Sequence, residues 1–172
     1  GLVFEKAATD IAKAEYAIPS YSAAAENYKE AKMYKKAGQM YEFILNKYPT
    51  DKKTPQAVYN GGLIYEKGKM YEKAIDMYLL LGEKYPESEY AAEGYFAIGF
   101  CYEKLGKDLQ MARAFTAYAE KFTGNRSKQI SALVRASESY MKMKNYSEAE
   151  KSAVLSTKVY EKYKNKATID PV

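Results

Sequence analysis

The side chains here that could do acid–base chemistry are glutamates at recurring spacings, above all Glu66 and Glu103, 37 residues apart. Two carboxylates can serve as general acid and base when their surroundings push their protonation apart. Nothing in this sequence assists them. The chain has no histidine, which removes histidine bases, Ser-His-Asp triads and histidine metal ligands together. Its one cysteine, Cys101, cannot form an internal disulfide and follows Phe100 in an apolar stretch, the setting of a buried, inert thiol. Gly61-Gly62 lies within a helical pattern, with no strand before it and no Gly-Lys-Ser/Thr after it, so it is not a phosphate loop. No insertion is long enough to build a pocket. The expectation is therefore no enzyme, no metal and no cofactor.

What remains suits association. Tyr59 with Leu63, and Phe96 with Phe100, are i, i+4 pairs that each form one stripe on a helix. Glutamates accompany them: Glu66 follows the first pair and Glu103 the second. An apolar patch rimmed by charge is a common form of binding surface.

These side chains need elements to carry them. With 47% hydrophobic residues, 10 Gly and 5 Pro in 172 residues, the chain can build a core, and its periodicity is helical. The spacing predicts a helix over 3–17, closed by Pro19, then helices near 20–31 and 34–48, 54–67 and 70–84, 88–105 and 108–122, and 127–143 and 146–164. Thr54, Ser88 and Asp108 are expected N-caps. Tyr48-Pro49, Tyr85-Pro86 and Gly124-Asn125 are expected stops. The tail over 165–172 is polar and expected to fray. No apolar stretch approaches the ~20 residues that span a bilayer. Net charge is +5, split as +2, −2, +2 and +3 over residues 1–54, 55–91, 92–128 and 129–172. With no single-signed block, nucleic-acid binding is not implied.

The helices repeat. Tyr28, Tyr65 and Tyr102 stand 37 apart, as do Tyr41, Tyr78 and Phe115, and Pro49 and Pro86. A fixed period in this range marks a stacked array of one small unit. Small residues recur as well: Ala25, Gly62 and Gly99 on first helices, and Ala37 and Ala74 on second helices. A mid-helix glycine costs about 1 kcal/mol against alanine, a cost that is tolerable where a larger side chain would clash. In the last unit Leu133, Ser137, Tyr140 and Ala149 keep the pattern, but Tyr140 comes 38 after Tyr102 and Ala153 replaces the aromatic.

Laid on one another, these positions resemble the tetratricopeptide repeat: large–x2–large–small–x2–Tyr, then Ala–x3–Phe, then Pro. The resemblance covers residues 20–163, with a step of 37 where the usual one is about 34. It implies an all-α, right-handed solenoid of antiparallel hairpins forming a single domain. Its parts would be an N-terminal helix over 3–17, repeats at 20–53, 54–87 and 88–125, and a degenerate terminal repeat at 126–164. The run from Tyr85 to Gly99 is similar to the subgroup found in bacterial cell-envelope proteins, such as the outer-membrane barrel assembly lipoprotein and the periplasmic partner of the Tol–Pal system. That likeness implies a periplasmic or outer-membrane-peripheral setting, with the cytoplasm second, and contact with a membrane only indirectly.

The resemblance also places a concave groove on the first helices. Its lining would be Ser22, Glu26 and Lys29; Tyr59, Asn60, Leu63 and Glu66; Phe96, Phe100, Glu103 and Lys104; and Val134, Glu138 and Met141. The central residues would form an aromatic strip that takes a peptide or helix of a protein partner, not a nucleic acid or a small-molecule substrate. Ser22, Tyr59, Phe96 and Val134 stand where the family's carboxylate clamp has basic residues, so no such clamp is expected. The tyrosines are expected to serve packing, and Lys158, Lys162, Lys164 and Lys166 to form a solvated helix face. The competing reading is a self-associating solenoid joined through Val154, Leu155, Val159, Tyr160 and Tyr163, which sedimentation at several concentrations would decide.

Overall fold

The computed structural model describes residues 2–167, with side chains described for 15–162 and 164. Eight helices follow in order among the described residues: α1 (Leu2–Glu30), α2 (Tyr34–Lys47), α3 (Thr54–Lys67), α4 (Tyr71–Lys84), α5 (Glu89–Lys104), α6 (Asp108–Lys121), α7 (Arg126–Lys142) and α8 (Tyr146–Ala167). There is no strand among the described residues. The chain forms two compact units, one ending at Gly94 and the other beginning at Tyr95. In the first unit α1 packs on α2, α2 on α3 and α3 on α4; in the second α6 packs on α7 and α7 on α8.

Helices α2 to α7 match the expected boundaries closely, and α8 runs on to Ala167. The expected break at Pro19 does not occur: α1 is one helix with Pro19 inside it. Proline removes the amide that would reach the Glu15 carbonyl four residues back. Glu15, Tyr16, Pro19 and Ser20 are all exposed, so water can satisfy that carbonyl. The Ser20 hydroxyl donates to the Tyr16 carbonyl at 2.8 Å, while buried Ile18 and Ala25 hold the same helix to the core. The side chains before Glu15, the tail beyond Ala167 and the side chain of Tyr163 lie outside what the structure describes.

Two of the three expected caps are different in kind. Ser88 does cap α5, accepting from the Tyr90 amide at 3.2 Å. Thr54 is the first residue of α3 and has no exposed surface. Its hydroxyl turns back and donates to the Tyr48 carbonyl at 2.5 Å, closing the loop between hairpins. Asp108 is likewise already helical. Its carboxylate meets Lys142 at 2.8 Å, and its carbonyl accepts from the Ser139 hydroxyl at 2.9 Å. Asn125, expected only as part of a stop, caps α7 by accepting from the Lys128 amide at 3.0 Å.

The turn inside every hairpin is the same device. Lys32, Lys69, Gly106 and Lys144 have φ of 57°, 58°, 66° and 60°. In each turn the next residue's amide returns to a tyrosine carbonyl: Met33 to Tyr28, Met70 to Tyr65, Lys107 to Tyr102 and Asn145 to Tyr140, all at 2.8–2.9 Å. This is the left-handed helix ending that usually takes glycine. Only one of the four positions has it. Lysine there bears backbone strain, though its charge suits the helix C-terminus.

The hairpins close because an aromatic ring of one helix lies where the facing helix has no β-carbon. A β-carbon built on Gly62 would stand 2.3 Å from the Tyr78 ring, and one on Gly99 would stand 2.4 Å from the Phe115 ring. Gly38 of α2 receives Tyr65 of α3 in the same way, at 2.3 Å. Tyr65, Tyr78 and Phe115 have no exposed surface. In the last hairpin Ser137 takes the small position and donates to the Ala149 carbonyl at 2.9 Å. Ala153, at the aromatic position, is exposed, as are Val154 and Tyr160.

Gly62→Ala is therefore expected to destabilise the chain by about 1–3 kcal/mol through overpacking, although alanine favours a helix by about 1 kcal/mol. Lys69→Gly is expected to stabilise by up to about 1 kcal/mol by relieving the left-handed strain. Urea unfolding measures both, and the opposite sign in either contradicts this packing.

Candidate functional site

In the first unit the groove residues sit on α3, whose buried face is pinned by Val58, Gly61, Gly62 and Tyr65. Leu63 is 42% exposed. Tyr59 is half-buried, with its ring 5.9 Å from Tyr78 and 5.6 Å from Tyr90. Burial, then the charges of Glu93 and Glu66, raise its pKa. Glu66 accepts from the Tyr78 hydroxyl at 2.5 Å. It thus satisfies a phenol of its own hairpin. Glu42 of α2 accepts from the Tyr65 hydroxyl of the next hairpin at 2.5 Å, with Lys73 3.6 Å from that carboxylate and 5.1 Å from the ring. Asn60 is half-buried and hydrogen-bonds the Tyr41 side chain, opposing the rise in the Tyr41 pKa that burial causes. Of the first-repeat residues, Glu26 and Lys29 pair with each other and Ser22 is half-buried.

In the second unit Phe96 and Phe100 lie together on α5, ring centroids 5.2 Å apart. They are half-buried and continuous with the core. Phe96 meets Tyr118 at 4.9 Å and Phe115 at 5.7 Å, and Phe100 meets Phe115 at 5.3 Å. Truncating either ring removes core contacts as well as surface, so both alanine variants, Phe96→Ala and Phe100→Ala, should melt lower than wild type.

The outer faces of these rings carry cations. Arg135 of α7 lies 4.7 Å from the Phe100 centroid and 5.9 Å from that of Phe115. Lys128, also on α7, lies 5.7 Å from Phe96. A single hydroxyl accounts for part of the difference between the units. Phe115 stands where the first unit has Tyr78, so Glu103, the counterpart of Glu66, has no phenol to accept from there. It lies instead 3.5 Å from Arg135. Lys104 is exposed beside it.

On α7 the expected residues are outward: Val134 is 42% and Met141 53% exposed, with Glu138 exposed beside them. An open cleft of about 290 Å³ adjoins them, lined by Glu103, Asp108, Met111, Arg135, Glu138 and Lys142 among others. The sequence reading missed Arg135 and Lys128. Arg135 occupies the repeat position of Asn60, which the reading did include, so repeat alignment alone could have found it. Lys128 has no such signal, because its contact depends on where α7 begins.

The arrangement can hold a chain by apolar contact and charge. Among the described residues no three His, Cys, Asp or Glu side chains gather as metal ligands. No helix among them is long and apolar enough to cross a membrane.

Residues 56–88 match the tetratricopeptide repeat. No curated protein matches the sequence. Solved structures do resemble it in fold. BtubC (BKLC) from P. vanneervenii is 16% identical with a TM-score of 0.58, covering 84% of this chain and 63% of its own. MamA of AMB-1 is 15% identical with a TM-score of 0.58, covering 88% and 78%. Nearly identical TPR-like repeats from Podosopora anserina are 10% identical with a TM-score of 0.56, covering 84% and 75%. This chain thus spans less than two thirds of the BtubC length. The fold is an all-α tetratricopeptide-repeat solenoid.

The buried phenols set an alkaline limit. Burial, chiefly, raises the pKa of Tyr41, Tyr59, Tyr65 and Tyr85, and for Tyr65 the bond to Glu42 adds to it. These groups stay neutral in the folded chain at pH values where the unfolded chain ionises. Their contribution is present in full below about pH 10 and is lost as pH rises beyond it. Urea midpoints should fall above about pH 10, less steeply in Tyr65→Phe; a midpoint unchanged there contradicts the burial.

Proposed function

We propose that this chain is a non-enzymatic interaction scaffold that holds a peptide or helix of a protein partner on its first-helix faces. The observation that carries the reading is the pair of outward apolar side chains on α7 of the second unit, Val134 and Met141, with Glu138 exposed beside them; on α3 of the first unit Leu63 is outward as well. In a small domain a large apolar side chain left outside the core is unremarkable alone. Two of them one above the other on one helix, at positions that the repeat turns outward, favour a docking surface. Tetratricopeptide-repeat proteins generally bind protein partners, which supports the same reading. The likeness of the Tyr85–Gly99 run to envelope proteins favours a partner within a bacterial envelope complex.

Val134→Asp and Met141→Asp are the discriminating variants, because neither side chain is buried. Partner recovery from a lysate of the source cells should fall at least about tenfold with the double variant, which at about 1.4 kcal/mol per tenfold is within reach of two lost apolar contacts. The melting temperature should stay near that of wild type. Equal recovery with both proteins contradicts the placement of the surface on α7.

A further inference from the structure

We infer that α8 of one copy of this chain stacks on α1 of a second copy, repeating between molecules the contact that α2 makes with α3 and α6 with α7 within one. The surface is separate from the first-helix face proposed above, and neither reading depends on the other.

The step of 38 residues that carries Tyr102 to Tyr140 also carries α6 onto α8. On the face that α6 turns to α7, the Gln129 side chain reaches the Ala119 carbonyl at 2.7 Å and Arg135 nears the Phe115 ring. Ala112, Phe115 and Ala119 are buried there. Their counterparts on α8, Glu150, Ala153 and Thr157, are all exposed. Large side chains stand open along the same face, with Tyr146 61%, Val154 46% and Tyr160 53% exposed. The closing unit of a stacked array ordinarily turns a polar face outward, and this face is not polar.

The complementary half of the contact is on α1. A step of 37 residues carries α3 onto α1. In α3, Gly61 and Tyr65 meet Tyr41 and Gly38 of α2, and both are buried. On α1 the same places hold Ala24 and Tyr28, which are half-buried, and Asn27 and Ser20 on that side are exposed. Lys36 lies 5.7 Å from the Tyr28 ring, as Lys73 lies 5.1 Å from that of Tyr65. The ring is thus held as its buried counterpart is, but without a helix to cover it.

The helix lengths match as well. α1 has 29 residues and α8 has 22, against 14 in each of α2, α3, α4 and α6. α8 continues past Val159, the counterpart of the last residue of α6, and α1 begins ahead of Ala17, the counterpart of the first residue of α3. Where α2 leads into α3, the end of the one helix lies at the start of the other. The same register sets the two overhangs side by side. Residues 160–167 carry 3 basic and 1 acidic group, a net +2, and residues 2–16 carry 2 and 3, a net −1, so the overhangs attract. A foreign helix would have to reproduce both the stripe and the overhang, whereas a second copy already has them.

One residue opposes close stacking. Glu150 stands where α2 has Gly38 and α6 has Ala112, so the Tyr28 ring cannot seat as deeply as Tyr65 does. Within the first unit, however, a carboxylate of α2 accepts the Tyr65 hydroxyl. Val154 takes the place of that Glu42, and Glu150, one turn earlier on the same side of α8, supplies the carboxylate for Tyr28. The contact joins two different surfaces, so every dimer keeps one open α1 and one open α8 for further copies.

Velocity sedimentation of the full chain at rising concentration tests this. Wild type is expected to pass from monomer through dimer to larger species. Val154→Glu/Tyr160→Glu closes the α8 face and Ser20→Glu/Asn27→Glu the α1 face; all four positions are exposed, so each variant should keep the wild-type helical signal. Each variant alone is expected to stay monomeric, and an equal mixture of the two to reach dimer and stop, because one open face of each kind remains. A wild type that stays monomeric throughout overturns the proposal. So does an α1 variant that still dimerises, which would assign α8 to a contact with its own copy, and so does association that survives both variants. Val134→Asp/Met141→Asp should leave the masses unchanged, which separates failure of this contact from failure of the partner-binding face.

Discussion

A ring from one helix seated where its neighbour lacks a β-carbon is the contact on which this molecule depends. Tyr78 over Gly62 and Phe115 over Gly99 set how closely the two helices of a hairpin approach, and Tyr65 over Gly38 sets how closely consecutive hairpins stack in the first unit. Buried aromatics supply a large share of the apolar area that a small helical domain can bury. The glycine gives up helix propensity for this contact. Ring and notch recur at a fixed step in the two middle hairpins, and on α3 a position next to the notch, Leu63, is turned outward.

The outward face inherits its chemistry from the inner one. In the first unit the phenol of Tyr78 reaches Glu66 and ties that carboxylate to the framework. In the second, Phe115 fills the same place with the same shape but no hydroxyl, and Glu103 lies against Arg135 instead. Arg135 in turn covers Phe100. A Tyr–Phe difference in the core is thus accompanied by a different electrostatic surface on the first helix of the hairpin.

The repeat step, the helices and the close approaches at Gly62 and Gly99 were legible in the sequence, since periodicity and residue size carry that information directly. Pro19 was not, because proline's effect on a helix depends on whether the carbonyl it orphans can reach water, which is a property of exposure. Thr54 and Asp108 have the residue types of caps, yet their partners, the Tyr48 carbonyl and Lys142, become neighbours only once the hairpins stack. The left-handed turns were hidden by Lys32, Lys69 and Lys144, where only Gly106 carried the expected residue. At the candidate site the outward positions of Leu63, Val134 and Met141 follow from the repeat. The cations over Phe96 and Phe100 come from α7, in the following hairpin, and no pattern within α5 foretells them.

The most direct measurement is a double-mutant cycle on Gly62→Ala and Tyr78→Leu by urea unfolding. If the ring in the notch holds the hairpin, adding the methyl should cost far less once the ring is gone. The expected coupling is about 1 kcal/mol or more. Additive effects, within about 0.5 kcal/mol, would mean that Gly62 is not there for Tyr78, and would contradict the account.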